Sequence, residues 1–97
     1  MGVIGYKAIS RKGSSVHGMP KTYELGKTYE EKLDPFTHRC GMHFCLYLED
    51  VQQFVANPEC IVKVEALGRI EGDGYQYATN KMKILEVVEG SLDEKKI

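Results

Sequence analysis

The chain has 97 residues, 42% of them hydrophobic and 28% charged, with a formal net charge of −1. That length allows one domain around one core, and the composition excludes a disordered chain. The near-zero charge excludes a global basic field for a nucleic-acid backbone, and no apolar run approaches the roughly 20 residues that cross a bilayer.

The opening Met1-Gly2-Val3-Ile4-Gly5-Tyr6 lacks the length and charged flank of a secretory signal. Tyr6 also stands where N-myristoylation wants Ser or Thr. The expected setting is therefore a cytoplasm, in which Cys40, Cys45 and Cys60 are reduced thiols. Arg11, Lys12, Lys21 and Lys27 tilt the first third positive, and Glu86, Glu89, Asp93 and Glu94 tilt the end negative. So weak an asymmetry reads as a solvated, mixed-sign surface.

Ile4 to Ile9 alternates Tyr6 and Ala8 against Lys7 and Ile9 and predicts a first strand. Residues 10–20 hold Gly13, Ser14, Ser15, Gly18 and Pro20 around His17 without periodicity, which is a loop. Tyr23 to Tyr29 is a second extended piece, broken by a bulge or turn at Gly26. Glu30, Glu31 and Lys32 read as a surface run, and Asp34-Pro35 marks a further turn. Cys40-Gly41-Met42-His43-Phe44-Cys45 leads into a central strand over Met42 to Leu46, with one face in the core.

From Leu48 to Ala56 the period changes to that of a helix. Leu48, Val51, Phe54 and Val55 fall on one side, Glu49 and Asp50 stand in the first turn where the dipole favours acid, and Asn57-Pro58 stops it. So short a helix must be packed on a sheet. Cys60 to Ile70 reads as one strand, Gly72-Asp73-Gly74 as a hairpin turn, and the return runs through Tyr77 and then Lys81 to Val88. Lys83 is expected to face Glu65 across that hairpin. The expectation is α+β: a small, mainly antiparallel sheet of about five strands with one short amphipathic helix packed on it. It forms a single domain over residues 1–90, followed by a charged tail over 91–97.

For chemistry, the sharpest local pattern is His38-x-Cys40-x-x-His43-x-Cys45, four residue types that bind zinc. A regular strand works against it. It puts His43 and Cys45 about 7 Å apart on one face, whereas tetrahedral donors lie roughly 3.5 Å apart. Buried thiols are therefore expected, with no metal and no cofactor. A cysteine nucleophile would need Cys40 or Cys45 to meet His17 or His43, and nothing in the spacing brings them together. Gly72-Asp73-Gly74 lacks the lysine and following helix of a phosphate loop.

Six tyrosines and no tryptophan is a tyrosine-heavy composition for so short a chain. Tyr6, Tyr23, Tyr29, Tyr75 and Tyr77 fall on or beside predicted strands, where a ring can stack on a base and its hydroxyl can bond. Gathered on one sheet face, Tyr6, Lys7, Lys27, Tyr29, His43, Asn80 and Lys81 would suit a small anionic or nucleotide-like ligand. These seven are the candidate binding residues; no catalytic residue is assigned. Edge strands left open would let two copies form a homo-oligomer that shares such a site.

Several phrases taken together carry a resemblance. They are Gly5-Tyr6-Lys7-Ala8, Tyr23-Glu24-Leu25-Gly26-Lys27-Thr28-Tyr29, Cys40-Gly41-Met42-His43-Phe44-Cys45, Val64-Glu65-Ala66-Leu67-Gly68 and Thr79-Asn80-Lys81-Met82-Lys83-Ile84. Their order and spacing over residues 4–88 resemble a family of small phage and prophage proteins, known mainly as a domain of unknown function with a Gly-x-His-Phe-Cys motif. That resemblance implies a viral or mobile-element origin, the cytoplasm of a host bacterium, and no established activity. A fainter likeness is to the ADP-ribosyltransferase fold, with His43-Phe44 after Gly41 in a comparable place and Glu86 as the candidate for its carboxylate.

The function expected is a non-enzymatic accessory protein that binds a host protein or a small nucleotide-like ligand and blunts a host defence. Neither a membrane nor a nucleic acid is an expected partner. The alternatives are a nucleotide-acting enzyme, which needs His43 and a carboxylate on one pocket, and a small structural zinc module, which needs His38, Cys40, His43 and Cys45 on one point.

Overall fold

A computed structural model describes residues 2–10, 22–31, 42–54, 58–72 and 76–90. They form β1 (Val3–Ile9), β2 (Thr28–Glu30), β3 (Met42–Phe44), α1 (Leu48–Phe54), β4 (Cys60–Ala66), β5 (Ile70–Gly72), β6 (Tyr77–Thr79) and β7 (Lys81–Gly90). The strands make two sheets, ordered β1-β4-β7-β2 and β3-β6-β5. Every pairing described between named strands is antiparallel.

The expected single sheet of about five strands is thus two smaller ones, and the reason is a corner. The run from Cys60 to Ile70 is not one strand: it leaves the first sheet after Ala66 and enters the second at Ile70. The return does the same in reverse, through β6 in the second sheet and β7 in the first. One long hairpin therefore bends across both sheets. Leu67 N–H donates to Lys81 O at 2.8 Å and Arg69 N–H to Asn80 Oδ1 at 2.8 Å, so the bend keeps its backbone paired. Two register shifts between β4 and β7 curve the first sheet further. Lys83 does face Glu65, in the β4–β7 ladder.

Alternation along β1 and β4 sorts two cores. Ile9, Cys60, Val62, Val64 and Ala66 turn toward the second sheet and pack with Met42, Phe44, Met82 and Ile84. Ala8 and Ile61 turn the other way and pack with Cys45 and Val51 of α1, flanked by Tyr6 and Leu48. The layers run helix, first sheet, second sheet. At the predicted break, Gly26 has φ 81°, its N–H donates to Ile84 O at 2.7 Å, and Ile84 N–H donates to Lys27 O at 3.0 Å. Residues 55–57 at the helix end, 73–75 in the hairpin turn and the tail 91–97 lie outside the described residues.

The two sheets are stitched where Tyr6 N–H donates to Cys45 O at 2.7 Å and Cys45 N–H to Tyr6 O at 2.8 Å. Gly5 sits beside this stitch. A Cβ there would stand 2.5 Å from Phe44 Cδ2 and 2.7 Å from Cys45 O. Gly5→Ala is expected to cost about 1–3 kcal/mol by overpacking, read as a lower urea midpoint at unchanged m-value. An unchanged midpoint would mean that Phe44 and β1 do not meet this closely.

Candidate functional site

The seven residues expected on one face are distributed over four places. Tyr6 and Lys7 are neighbours on β1 and so point to opposite faces. Tyr6 lies on the helix side, while Lys7 runs into the inter-sheet core and is 4% exposed. Its Nζ donates to His43 O at 2.8 Å and lies 5.3 Å from the Tyr23 ring centroid, a geometry for cation–π attraction. Burial pulls the Lys7 ammonium down to about 8, and the neighbouring Cys45 opposes that fall. His43 is half-buried on β3, opposite Ala78 of β6.

Lys27 is exposed at the turn before β2 and pairs with Glu24, whose carboxylate raises its pKa. Tyr29 packs edge-on against Tyr23, ring centroids 5.1 Å apart and 80° between planes. Its hydroxyl accepts the Glu24 N–H at 2.8 Å. Burial pushes the Tyr23 phenol well above its usual range, helped by the charges of Glu31 and Tyr29.

Asn80 and Lys81 come together at the sheet corner, and here lies an open groove of about 370 Å³ lined by Glu30, Glu31, Gly68, Asn80 and Lys81. Its floor is built tightly. A Cβ on Gly68 would strike Asn80 Oδ1, so that position keeps the backbone bare. Asn80 is held from both ends: its Oδ1 accepts from Arg69 N and its main-chain oxygen accepts the Glu31 N–H at 2.9 Å. Next to it the buried Thr79 hydroxyl donates to Lys81 O at 3.2 Å. Lys81 Nζ stands 3.7 Å from Glu30 Oε1. The groove can accept and donate hydrogen bonds, and Cys45 and Cys60 are buried in the cores, away from its lining.

Sequence reading missed Glu30, Glu31 and Gly68. The two glutamates read as a surface run, and Gly68 sat inside what looked like one strand. Asn80 is a brace for the corner as well as part of the groove. Asn80→Ala is expected to cost about 0.5–1.5 kcal/mol by removing the acceptor that the Arg69 N–H uses across the bend, while Asn80→Asp keeps the acceptor and most of the stability. Equal losses for both variants in thermal unfolding would remove that bond from the account.

His38 and Cys40 of the zinc pattern lie outside the described residues, as does His17. Among the described residues no three His, Cys, Asp or Glu side chains are grouped so as to hold a metal ion. Glu86 extends from β7 on the helix side of the first sheet, 4.0 Å from Lys63 Nζ, whereas His43 belongs to the second sheet. No helix among the described residues is long and apolar enough to cross a membrane. Comparisons with curated proteins and with solved structures find no match. One family model does match, over residues 3–94, and the chain belongs to that family, described as "Domain of unknown function (DUF7666)".

Proposed function

We propose that the chain is a non-enzymatic binding protein of phage or prophage origin. In this reading it works in the cytoplasm of a host bacterium, engages a host protein or a small nucleotide-like ligand, and thereby counters a host defence. The origin rests on the resemblance of the five phrases from Gly5 to Ile84. The binding role rests on one observation: the open groove at the sheet corner offers carboxylates, an amide and an ammonium, while the cysteines among the described residues, Cys45 and Cys60, are buried in packing. Lys7 is committed to His43 O and the Tyr23 ring, and burial pushes the Cys60 thiol up, away from the reactive thiolate.

The enzymatic alternative needs His43 and a carboxylate at one pocket. Glu86 and His43 belong to different sheets, which favours binding over turnover. The test is thermal unfolding against a panel of nucleotides and cyclic oligonucleotides, with each ligand assayed for consumption. A rise of several degrees without turnover supports the small-ligand branch. No rise, together with a host protein that co-purifies stoichiometrically from infected cells, supports the protein branch. Consumption of a nucleotide that His43→Ala abolishes overturns the proposal.

A further inference from the structure

We propose that the chain self-associates through the first half of β1, whose open edge pairs antiparallel with β1 of a second copy about a two-fold axis at Val3. β1 contributes no described residue to the corner groove, so this is a second interaction surface, independent of what the groove binds.

The backbone carries the first observation. Residues of an antiparallel strand send their N–H and C=O groups alternately to one neighbouring strand and to the other. Tyr6 bonds both of its groups to Cys45, at 2.7 and 2.8 Å, and so faces away from β4. Ile4, two residues earlier on the same β1–β4 ladder, faces the same way. β1 is the outer strand of its sheet, and the bridge to Cys45 does not extend back to Ile4. The Ile4 N–H and C=O therefore point outward, and neither bonds to a described residue. Groups left open in this way are the template on which another strand adds.

The side chains at this edge carry the second. Val3 is 41% and Ile4 42% exposed, on opposite faces of the strand, and Leu67, next to the Val3 partner Ala66, is 40% exposed. No charged residue falls between Gly2 and Tyr6. The other named strands at sheet edges are blunted in the ways that discourage pairing. β2, β3 and β5 are three residues long; β2 carries Glu30, and β5 carries Glu71 paired with Arg69. β1 has seven residues and leaves its open end apolar and unguarded.

The stitch to Cys45 sets the register. An added strand cannot continue past Tyr6, because Cys45 holds that side. An axis at Val3 respects this limit. Gly2 then stands opposite the partner's Ile4, and the two Val3 side chains meet across the axis. Each Ile4 exchanges a pair of hydrogen bonds with the partner's Gly2. The Gly2 N–H, which leans on Glu65 Oε2 at 3.3 Å, turns outward to join them. The two four-stranded sheets run on as one. A two-fold axis brings like residues together, and an uncharged strand makes that meeting attractive rather than repulsive. So short a pairing buries less than the roughly 800 Å² per partner of a standard interface, so the dimer is weak and fills only at high protein concentration.

The test is sedimentation equilibrium of the full chain from about 10 μM to about 1 mM, where the average mass should climb toward that of a dimer. Ile4→Pro removes an outward N–H that the fold does not use. Val3→Lys sets two like charges face to face across the axis, at an exposed side chain that the core does not need. Each should raise the dissociation constant at least about tenfold, with the urea midpoint of Val3→Lys at the parental value. In oxidised glutathione, Val3→Cys should cross-link two copies faster than Ile4→Cys or the parent, because directly opposed residues come within disulfide reach and diagonal ones do not.

A monomer over the whole concentration range overturns the pairing and leaves the edge to an extended segment of another protein. A dimer that Val3→Lys and Ile4→Pro both leave intact overturns it as well. Cross-linking that favours Ile4→Cys over Val3→Cys overturns the axis at Val3.

Discussion

Replacing Phe44 by alanine is expected to destabilise the protein more than any other single truncation, by about 3–5 kcal/mol. The ring is 2% exposed and lies in the core between the two sheets. It stacks on Tyr77 with centroids 5.9 Å apart and covers Gly5 of β1. It therefore ties its own sheet together through the β3–β6 pair and docks that sheet onto the other. β3 is only three residues long, so few backbone bonds remain to hold it once the ring is gone. A domain of this size has a total stability of about 5–15 kcal/mol. The variant should therefore lose a large fraction of that total, while Phe44→Leu, which keeps most of the volume, should lose much less. Urea unfolding of both measures the effect. A loss below about 1 kcal/mol for the alanine variant would mean that the second sheet collapses onto the vacated space and does not depend on this ring.

The strands of this fold were legible where one face of the chain is apolar and the other polar. β4 is the example: Val62 and Val64 against Lys63 and Glu65 name a half-buried strand and its two faces. The helix over Leu48 was legible for the same reason, at a different period. What the pattern could not give was the division into two sheets. Leu67-Gly68-Arg69 continues the alternation of β4 closely enough to look like more strand. The bend depends on Asn80, twelve positions after Gly68, bonding to Arg69 N across the hairpin. A corner made by a long-range hydrogen bond leaves no periodic trace.

The site was legible only in part, for a related reason. Asn80 and Lys81 drew attention because they open the last strand, and they do line the groove. Glu30 and Glu31 looked like solvated charge because nothing near them in sequence is apolar on a regular spacing. They join the groove only through β2 pairing with β7 and through Glu31 N–H donating to Asn80 O. Lys7 was misleading in the opposite direction. A lysine in a strand usually marks the wet face, but both faces of β1 are covered, one by α1 and one by the second sheet. Ile9, two residues on and fully buried, shares the side of Lys7 and was the local sign that this side is core.

That buried ammonium makes a second large effect, one that pH reveals. In the unfolded chain Lys7 titrates near 10.5, and in the folded protein burial holds it at about 8. Between those values the unfolded state binds more protons, so stability rises with pH. Below pH 8 both states are protonated and the folded state carries the whole penalty, about 3 kcal/mol at 1.36 kcal/mol per pH unit. The alkaline side is bounded by other groups. Burial raises Cys60, and burial with the charges of Glu31 and Tyr29 raises Tyr23. Both resist losing a proton that the unfolded chain gives up near pH 9 and pH 10, so they lower stability there. The parent should therefore gain stability from about pH 7.5 to 9, level off between about pH 9 and 10 where the Lys7 gain and the Cys60 loss offset each other, and lose stability above pH 10.

Lys7→Met keeps the volume of the side chain and removes its titration. It also removes the donor to His43 O and the contact with the Tyr23 ring, a loss of about 1–2 kcal/mol together. The net expectation at pH 7 is a gain of about 1–2 kcal/mol and no rise between pH 7.5 and 9. Above pH 9 the Cys60 and Tyr23 losses should appear in the variant unmasked. Urea midpoints across pH 6 to 10 for both proteins decide the matter. A variant that keeps the parental rise would move the titrating group elsewhere, and a variant weaker at every pH would show that the His43 and Tyr23 contacts more than repay the cost of burying the charge.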